Sequence, residues 1–172
     1  MLTELEEVSE FLDQSSRDPG EREVLINNWS NRLELSQPNV EVWLRILKVR
    51  ALIMTPQTDP SIWIRFVSMC RKSGRPHLAH KILRQLIGKD NSDDSPLNLN
   101  QLIVKTQGRT PLISPKVVYS YLKYMWECET DKMGALKMMK LYTKHLKEQP
   151  DSIENSELLA RCYYKASKWE KQ

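Results

Sequence analysis

Trp63-Ile64-Arg65-Phe66-Val67-Ser68-Met69-Cys70-Arg71-Lys72-Ser73-Gly74-Arg75-Pro76-His77-Leu78-Ala79-His80-Lys81-Ile82-Leu83-Arg84-Gln85-Leu86 reads as one helical hairpin. With Trp63 at position 4 of a roughly 34-residue tetratricopeptide frame, Phe66 and Val67 take positions 7 and 8, and Cys70 takes 11. Gly74 falls in the turn, and Ala79, Leu83 and Leu86 take 20, 24 and 27. Each residue type suits its place. Large side chains on the first helix fill the gap between helices, Gly turns the corner, and Ala lets the second helix approach closely. Such a unit cannot bury its apolar face alone, so it requires stacked neighbours.

Working outward, the frame recurs. Tyr119 restarts it, with Leu122 at 7, Trp126 at 11, Ala135 at 20, Met139 at 24 and Tyr142 at 27. A third copy has Leu159 at 7, Ala160 at 8, Tyr163 at 11 and Trp169 near 17. Its position 20 is Gln172, so the last repeat is expected to be cut where its second helix starts. Trp29 lies 34 residues before Trp63, but Arg45 occupies the small-residue position, so the first copy is degenerate.

The expected fold is therefore all-α, a tetratricopeptide-like helical-repeat solenoid of antiparallel hairpins. Leu2, Leu5, Val8 and Leu12 make an amphipathic stripe, hence a first helix, broken at Asp18-Pro19-Gly20. Further helices are expected over about 21–35, 40–54, 60–72, 75–88, 115–128, 131–148 and 153–166. Residues 89–114 change character and read as an insertion. Lys89 to Pro96 is a polar linker, with 90–96 expected to be disordered, and Leu97, Leu99, Leu102, Ile103 and Val104 suit a short helix or a docked strap.

Composition narrows the function. The 172 residues carry 40% hydrophobic and 28% charged residues with a net charge of +4, ordinary for a helical domain and too mild to demand nucleic acid. Five glycines argue against a Gly-rich nucleotide loop. Cys70, Cys128 and Cys162 are odd in number and widely spaced, which disfavours a disulfide framework and fits a reducing compartment. No apolar run reaches membrane-spanning length, and the start is acidic (Glu4, Glu6, Glu7, Glu10), unlike a secretory or mitochondrial signal. Cytoplasm or nucleus is expected.

Catalytic motifs are missing. There is no P-loop, Ser/His/Asp spacing, zinc-protease helix or kinase catalytic loop, and no catalysis is expected from this segment. Cys70, His77 and His80 are the nearest approach to a metal set, but Cys70 holds a packing position and no second Cys/His pair closes a tetrahedron. Asp93 and Asp94 lie in the linker, without the rigid cleft an acid–base pair needs. One basic constellation stands out. Arg65 and Lys72 are two helical turns apart and share a face, and Arg71, Arg75 and Lys81 lie on the same hairpin. They suit a polyanion through charge-assisted contacts; the competing reading is a solvated basic edge.

The sequence resembles the FAT domain of TOR (target of rapamycin) kinases, of the phosphatidylinositol-3-kinase-related group. The resemblance rests on Val42-Trp43-Leu44-Arg45-Ile46-Leu47-Lys48-Val49-Arg50-Ala51-Leu52 with Pro56, on residues 63–83, on Val118-Tyr119-Ser120-Tyr121-Leu122-Lys123-Tyr124-Met125-Trp126, and on Leu158-Leu159-Ala160-Arg161-Cys162-Tyr163-Tyr164-Lys165 with Trp169-Glu170. It departs in 89–114 and 143–157. The resemblance implies a partial FAT-type domain over 1–172, a helical clamp around a serine/threonine kinase domain in growth signalling. It implies as partners that kinase domain and the TOR-complex subunits. It also implies a Lys/Arg pocket for inositol hexakisphosphate, in which Arg65 and Lys72 stand at basic positions and Pro38 stands where another cation belongs. A competing reading is a half-tetratricopeptide scaffold of an RNA-processing complex, whose repeats also place Trp in the first helix. A third, a free-standing peptide-binding adaptor, needs a Lys/Asn carboxylate clamp that is not evident.

Overall fold

The computed structural model describes residues 2–14, 19–88, 102–103, 113–128, 131–148 and 153–172. The helices are α1 (Leu2–Gln14), α2 (Pro19–Leu35), α3 (Val40–Arg50), α4 (Pro60–Lys72), α5 (Pro76–Leu86), α6 (Pro115–Cys128), α7 (Lys132–Lys147) and α8 (Ile153–Glu170). No strand occurs among the described residues. The expected all-α class is found.

Local chemistry sets the helix ends. Pro19, Pro60, Pro76 and Pro115 open α2, α4, α5 and α6. A first-turn N–H has no intrahelical acceptor anyway, and the fixed proline φ suits the helix. Asn39 caps α3, its Oδ1 accepting from the Glu41 and Val42 amides at 3.0 and 3.3 Å. Asp131 caps α7 by accepting from the Gly134 amide at 2.8 Å. The α4–α5 turn is a Schellman closure: Arg75 N donates to Cys70 O at 2.9 Å and Gly74 N to Arg71 O at 3.2 Å. Gly74 holds φ +70°, a left-handed conformation that costs a residue with a Cβ.

The main core runs from Leu33, near the end of α2, through α3 to α8. Phe66, Val67, Cys70, Ala79 and Leu83 are wholly buried where α4 packs on α5. From there the helices follow one another: α6 packs on both α4 and α5, α7 on α6, and α8 on α7. Leu122, Ala135, Met139 and Tyr142 are buried, as the second frame requires, whereas Trp126 is half-buried. The Tyr142 hydroxyl donates to Pro115 O at 2.8 Å, and Trp126 stacks on Trp169 at 4.5 Å, tying α6 to α7 and α8. Leu102 and Ile103 are buried in the same core, so this piece of the insertion docks. The linker expected to be disordered, including Asp93 and Asp94, lies outside the described residues.

A separate small core holds the first two helices: Val8, Phe11 and Trp29. Trp29 is pinned from three sides. Phe11 stacks on it at 5.8 Å, its Nε1 donates to Glu7 Oε2 at 2.6 Å, and the Arg50 guanidinium sits 5.2 Å from its ring centroid while donating to its carbonyl oxygen at 3.1 Å. Burial works to raise the Glu7 pKa; hydrogen bonds from Arg32 and Trp29 and the Arg32 and Arg50 charges outweigh it, leaving the carboxyl below its usual range.

Three expectations need correction. In α1 the buried pair is Val8 and Phe11, whereas Leu5 and Leu12 are exposed, because the Trp29 face selects the stripe. The third helix stops at Arg50, and residues 51–53 form turns. In α8 the buried face is Leu158, Cys162, Ala166 and Trp169; Leu159 is half-buried, and Ala160 and Tyr163 are exposed. The third frame therefore sits one residue earlier than the spacing of Leu159 and Tyr163 implied.

Phe66→Ala is expected to cost about 3–5 kcal/mol, read from the urea midpoint. Gly74→Ala meets no atom within 4 Å of the added Cβ, so its loss should be the conformational term alone, about 1–2 kcal/mol. A Phe66→Ala loss well below about 1 kcal/mol would contradict the packing just described.

Candidate polyanion site

α4 buries Trp63, Phe66, Val67 and Cys70 on one side. The 3.6-residue period then turns Arg65, Ser68, Met69 and Lys72 to another side. Across from them stand Trp43 of α3 and Ser36 and Pro38 of the preceding loop. Together with Ser73 they line an open cleft of about 480 Å³. The structure thus brings together Arg65, Lys72 and Pro38, the three positions singled out in the sequence. The Arg65 guanidinium lies 5.7 Å from the Trp43 ring centroid, which orients a flexible cation at the cleft wall. The Trp43 ring is itself fixed by its Nε1, which donates to Ser36 Oγ at 3.0 Å.

The other hairpin cations behave differently from the sequence expectation. Arg71 has its side chain almost fully buried and donates to Glu127 Oε2 at 2.6 Å. Arg75 is ion-paired with Glu41. Both carry carboxylate partners, so they add less field to the cleft than free cations would. Lys81 is exposed on α5.

Two further cations were not among the candidates. Lys123 of α6 is pushed down to about 8, first by burial and then by the neighbouring Arg71, Lys165 and Lys72 charges, with Glu127 opposing. Its ammonium lies 5.6 Å from the Tyr119 ring centroid. Lys165 belongs to α8, and Lys72 to α4. The Lys123 charge on α6 is therefore felt against those of Lys72 on α4 and Lys165 on α8. A sequence signal existed: Lys123 directly follows Leu122 and so takes the frame position that the fully buried Val67 holds in the preceding hairpin. A lysine at a packing position marks a charge held close to the protein body.

The cleft lining offers cations and hydroxyls and contains no carboxylate. That arrangement suits an anion, and its lining brings no base and nucleophile together. The thiols do not alter this. Burial raises Cys70 to about 11 and Cys162 to about 12, so both stay protonated. Cys70 lies in the core, His77 is exposed, and His80 stacks on Tyr124 at 5.3 Å. These three do not converge on a metal.

Comparison with known proteins agrees with this architecture. The FAT domain family model matches residues 1–172. The chain is 32% identical to the serine/threonine-protein kinase tor1 of Schizosaccharomyces pombe, covering 99% of this chain and 8% of that protein. It is 36% identical to the serine/threonine-protein kinase TOR of Arabidopsis thaliana, covering 98% of this chain and 7% of that protein. It is 33% identical to the serine/threonine-protein kinase mTor of Drosophila melanogaster, covering 99% of this chain and 6% of that protein. The chain thus spans less than a tenth of the length of these relatives. With the helical hairpins in place and the family match running from its first residue to its last, this chain belongs to the FAT-domain family.

Proposed function

We propose that this chain is a scaffold segment of a TOR-like serine/threonine kinase in growth signalling, supporting the kinase domain and the assembly of complex subunits. The observation that carries this reading is 32–36% identity to TOR kinases across nearly all of the chain. The half-tetratricopeptide RNA-processing scaffold is not favoured by that likeness. Catalysis belongs, in this reading, to a kinase domain elsewhere in the protein, and the place of work is the cytoplasm. No helix among the described residues is long and apolar enough to cross a membrane. The test is direct: sequencing the encoding transcript should reveal a kinase catalytic loop downstream, and a transcript lacking one overturns the reading.

We propose further that Arg65 and Lys72, with Lys123 and Lys165, hold inositol hexakisphosphate or a similar polyanion as a structural ligand. Three observations support it: the two predicted cations line one cleft, the cleft lacks carboxylates, and Lys123 sits among like charges. Mutual repulsion among these cations is relieved when an anion enters. Pro38 removes one cation from the cleft wall, so the affinity should depend heavily on those that remain.

In the full-length protein, Arg65→Glu with Lys72→Glu is expected to weaken inositol hexakisphosphate binding at least about tenfold by calorimetry, since each change replaces attraction by repulsion. Unchanged affinity returns these residues to the solvated-edge reading. Binding should also couple to Lys123. The free ammonium titrates at about 8, whereas a bound polyanion favours its charged form. Binding therefore takes up a proton, and affinity falls as pH rises through 8. Lys123→Arg keeps the charge and should flatten that component relative to wild type. Identical pH profiles for the two proteins would place Lys123 outside the site.

A further inference from the structure

α4, α5 and α7 all lack Asp and Glu, and α7 carries the most cations of the three. Residues 132–147 contain five lysines and no Asp or Glu. Its apolar face, Ala135, Leu136, Met139, Tyr142 and Leu146, is buried against the neighbouring helices. The lysines are thereby displayed outward. Lys140, Lys144 and Lys147 line a groove of about 420 Å³ whose other wall comes from α8, with Tyr163, Ala166 and Glu170. Lys140 is ion-paired with Glu170. Lys144 and Lys147 are exposed, and no carboxylate pairs with them among the described residues.

Helix stability does not account for this pattern. Cations in the last turn interact favourably with the helix dipole, which covers Lys144 and Lys147. The same argument does not reach Lys137 and Lys140, one to two turns earlier. Lys140 and Lys144, at four residues apart, and Lys144 and Lys147, at three, are like-charge neighbours that repel. A ligand bearing negative charge along the groove turns that repulsion into attraction.

We propose that the α7–α8 groove is a docking site for an acidic peptide segment, whose carboxylates meet Lys140, Lys144 and Lys147. The three lysines extend over two helical turns, roughly 10 Å, which is the spacing of Glu or Asp side chains on successive turns of a partner helix. Ala166 keeps the floor shallow enough for a backbone to approach, and Tyr163, 53% exposed, offers a ring to an apolar neighbour of the acids. The concave shape favours a peptide over a lipid surface, which reaches only protruding groups. The groove shares no residue with the Arg65–Lys72 cleft, and the proposal does not depend on that site.

The test uses a fluorescein-labelled helical peptide with Glu at one-turn spacing and Leu and Phe beside the acids. It is titrated with the intact chain and followed by anisotropy. Lys144→Glu with Lys147→Glu should weaken binding at least about tenfold, and replacing every Glu of the probe by Gln should do the same. Arg65→Glu with Lys72→Glu should leave it unchanged. Both lysines are exposed, and a melting curve checks the fold; Lys144→Gln with Lys147→Gln, which adds no carboxylate, serves as the milder pair and should also weaken binding. Equal affinity for wild type and both lysine variants overturns the proposal. So does equal binding of the Gln probe, loss of binding only in the Arg65/Lys72 variant, or capture of phosphatidylserine vesicles without capture of the peptide.

Discussion

The close approach of α4 and α5 is the constraint on which the rest of the chain depends. Phe66 and Leu83 fill the space between the two helices, and Ala79 leaves room for them to meet. The Schellman closure at Gly74 fixes the angle at which α5 leaves α4. α6 then has a two-helix surface to pack on, and it touches both. α7 and α8 extend the same stack, held by the Tyr142–Pro115 hydrogen bond and the Trp126–Trp169 stack. α1 and α2 stand apart in energetic terms. Their core is Val8, Phe11 and Trp29, joined to the main body through Arg50, through packing of α1 on α3, and through Leu33 of α2, which is buried in the main core.

The same packing makes the candidate site. A helix that commits Trp63, Phe66, Val67 and Cys70 to the interior must turn the residues between them outward. Arg65 and Lys72 reach the cleft for that reason, and Trp43 orients Arg65 there. Lys123 of α6 does not line the cleft, but it feels the charges of Lys72 and of Lys165 on α8. The stack therefore places like charges close together. Glu127, paired with Arg71, offsets part of that cost beside Lys123, and the cleft lining itself holds no carboxylate. The proposed polyanion would offset the repulsion that remains.

Legibility in the sequence follows how local each determinant is. Pro76, Gly74 and Ala79 act within a few residues of themselves, so the α4–α5 hairpin could be read almost to its ends. α8 could not. Leu158 and Leu159 are adjacent and equally apolar, and only contact with α7 decides that Leu158 faces inward. α1 failed similarly, since Trp29, far along the chain, selects Val8 and Phe11 over Leu5 and Leu12. At the site, Arg65 and Lys72 followed from a two-turn spacing. The pairing of Arg71 with Glu127 and of Arg75 with Glu41 links distant positions and had no local signal.

Hydrogen exchange on the full-length protein, with and without saturating inositol hexakisphosphate, tests the account most directly. Slowed exchange is expected in residues 36–43 and 65–73 and around Lys123 and Lys165, with α1 unchanged. Protection spread evenly over all helices, or none in α4, would contradict the claim that packing of the α4–α5 hairpin builds an anion site from cations of α4, α6 and α8.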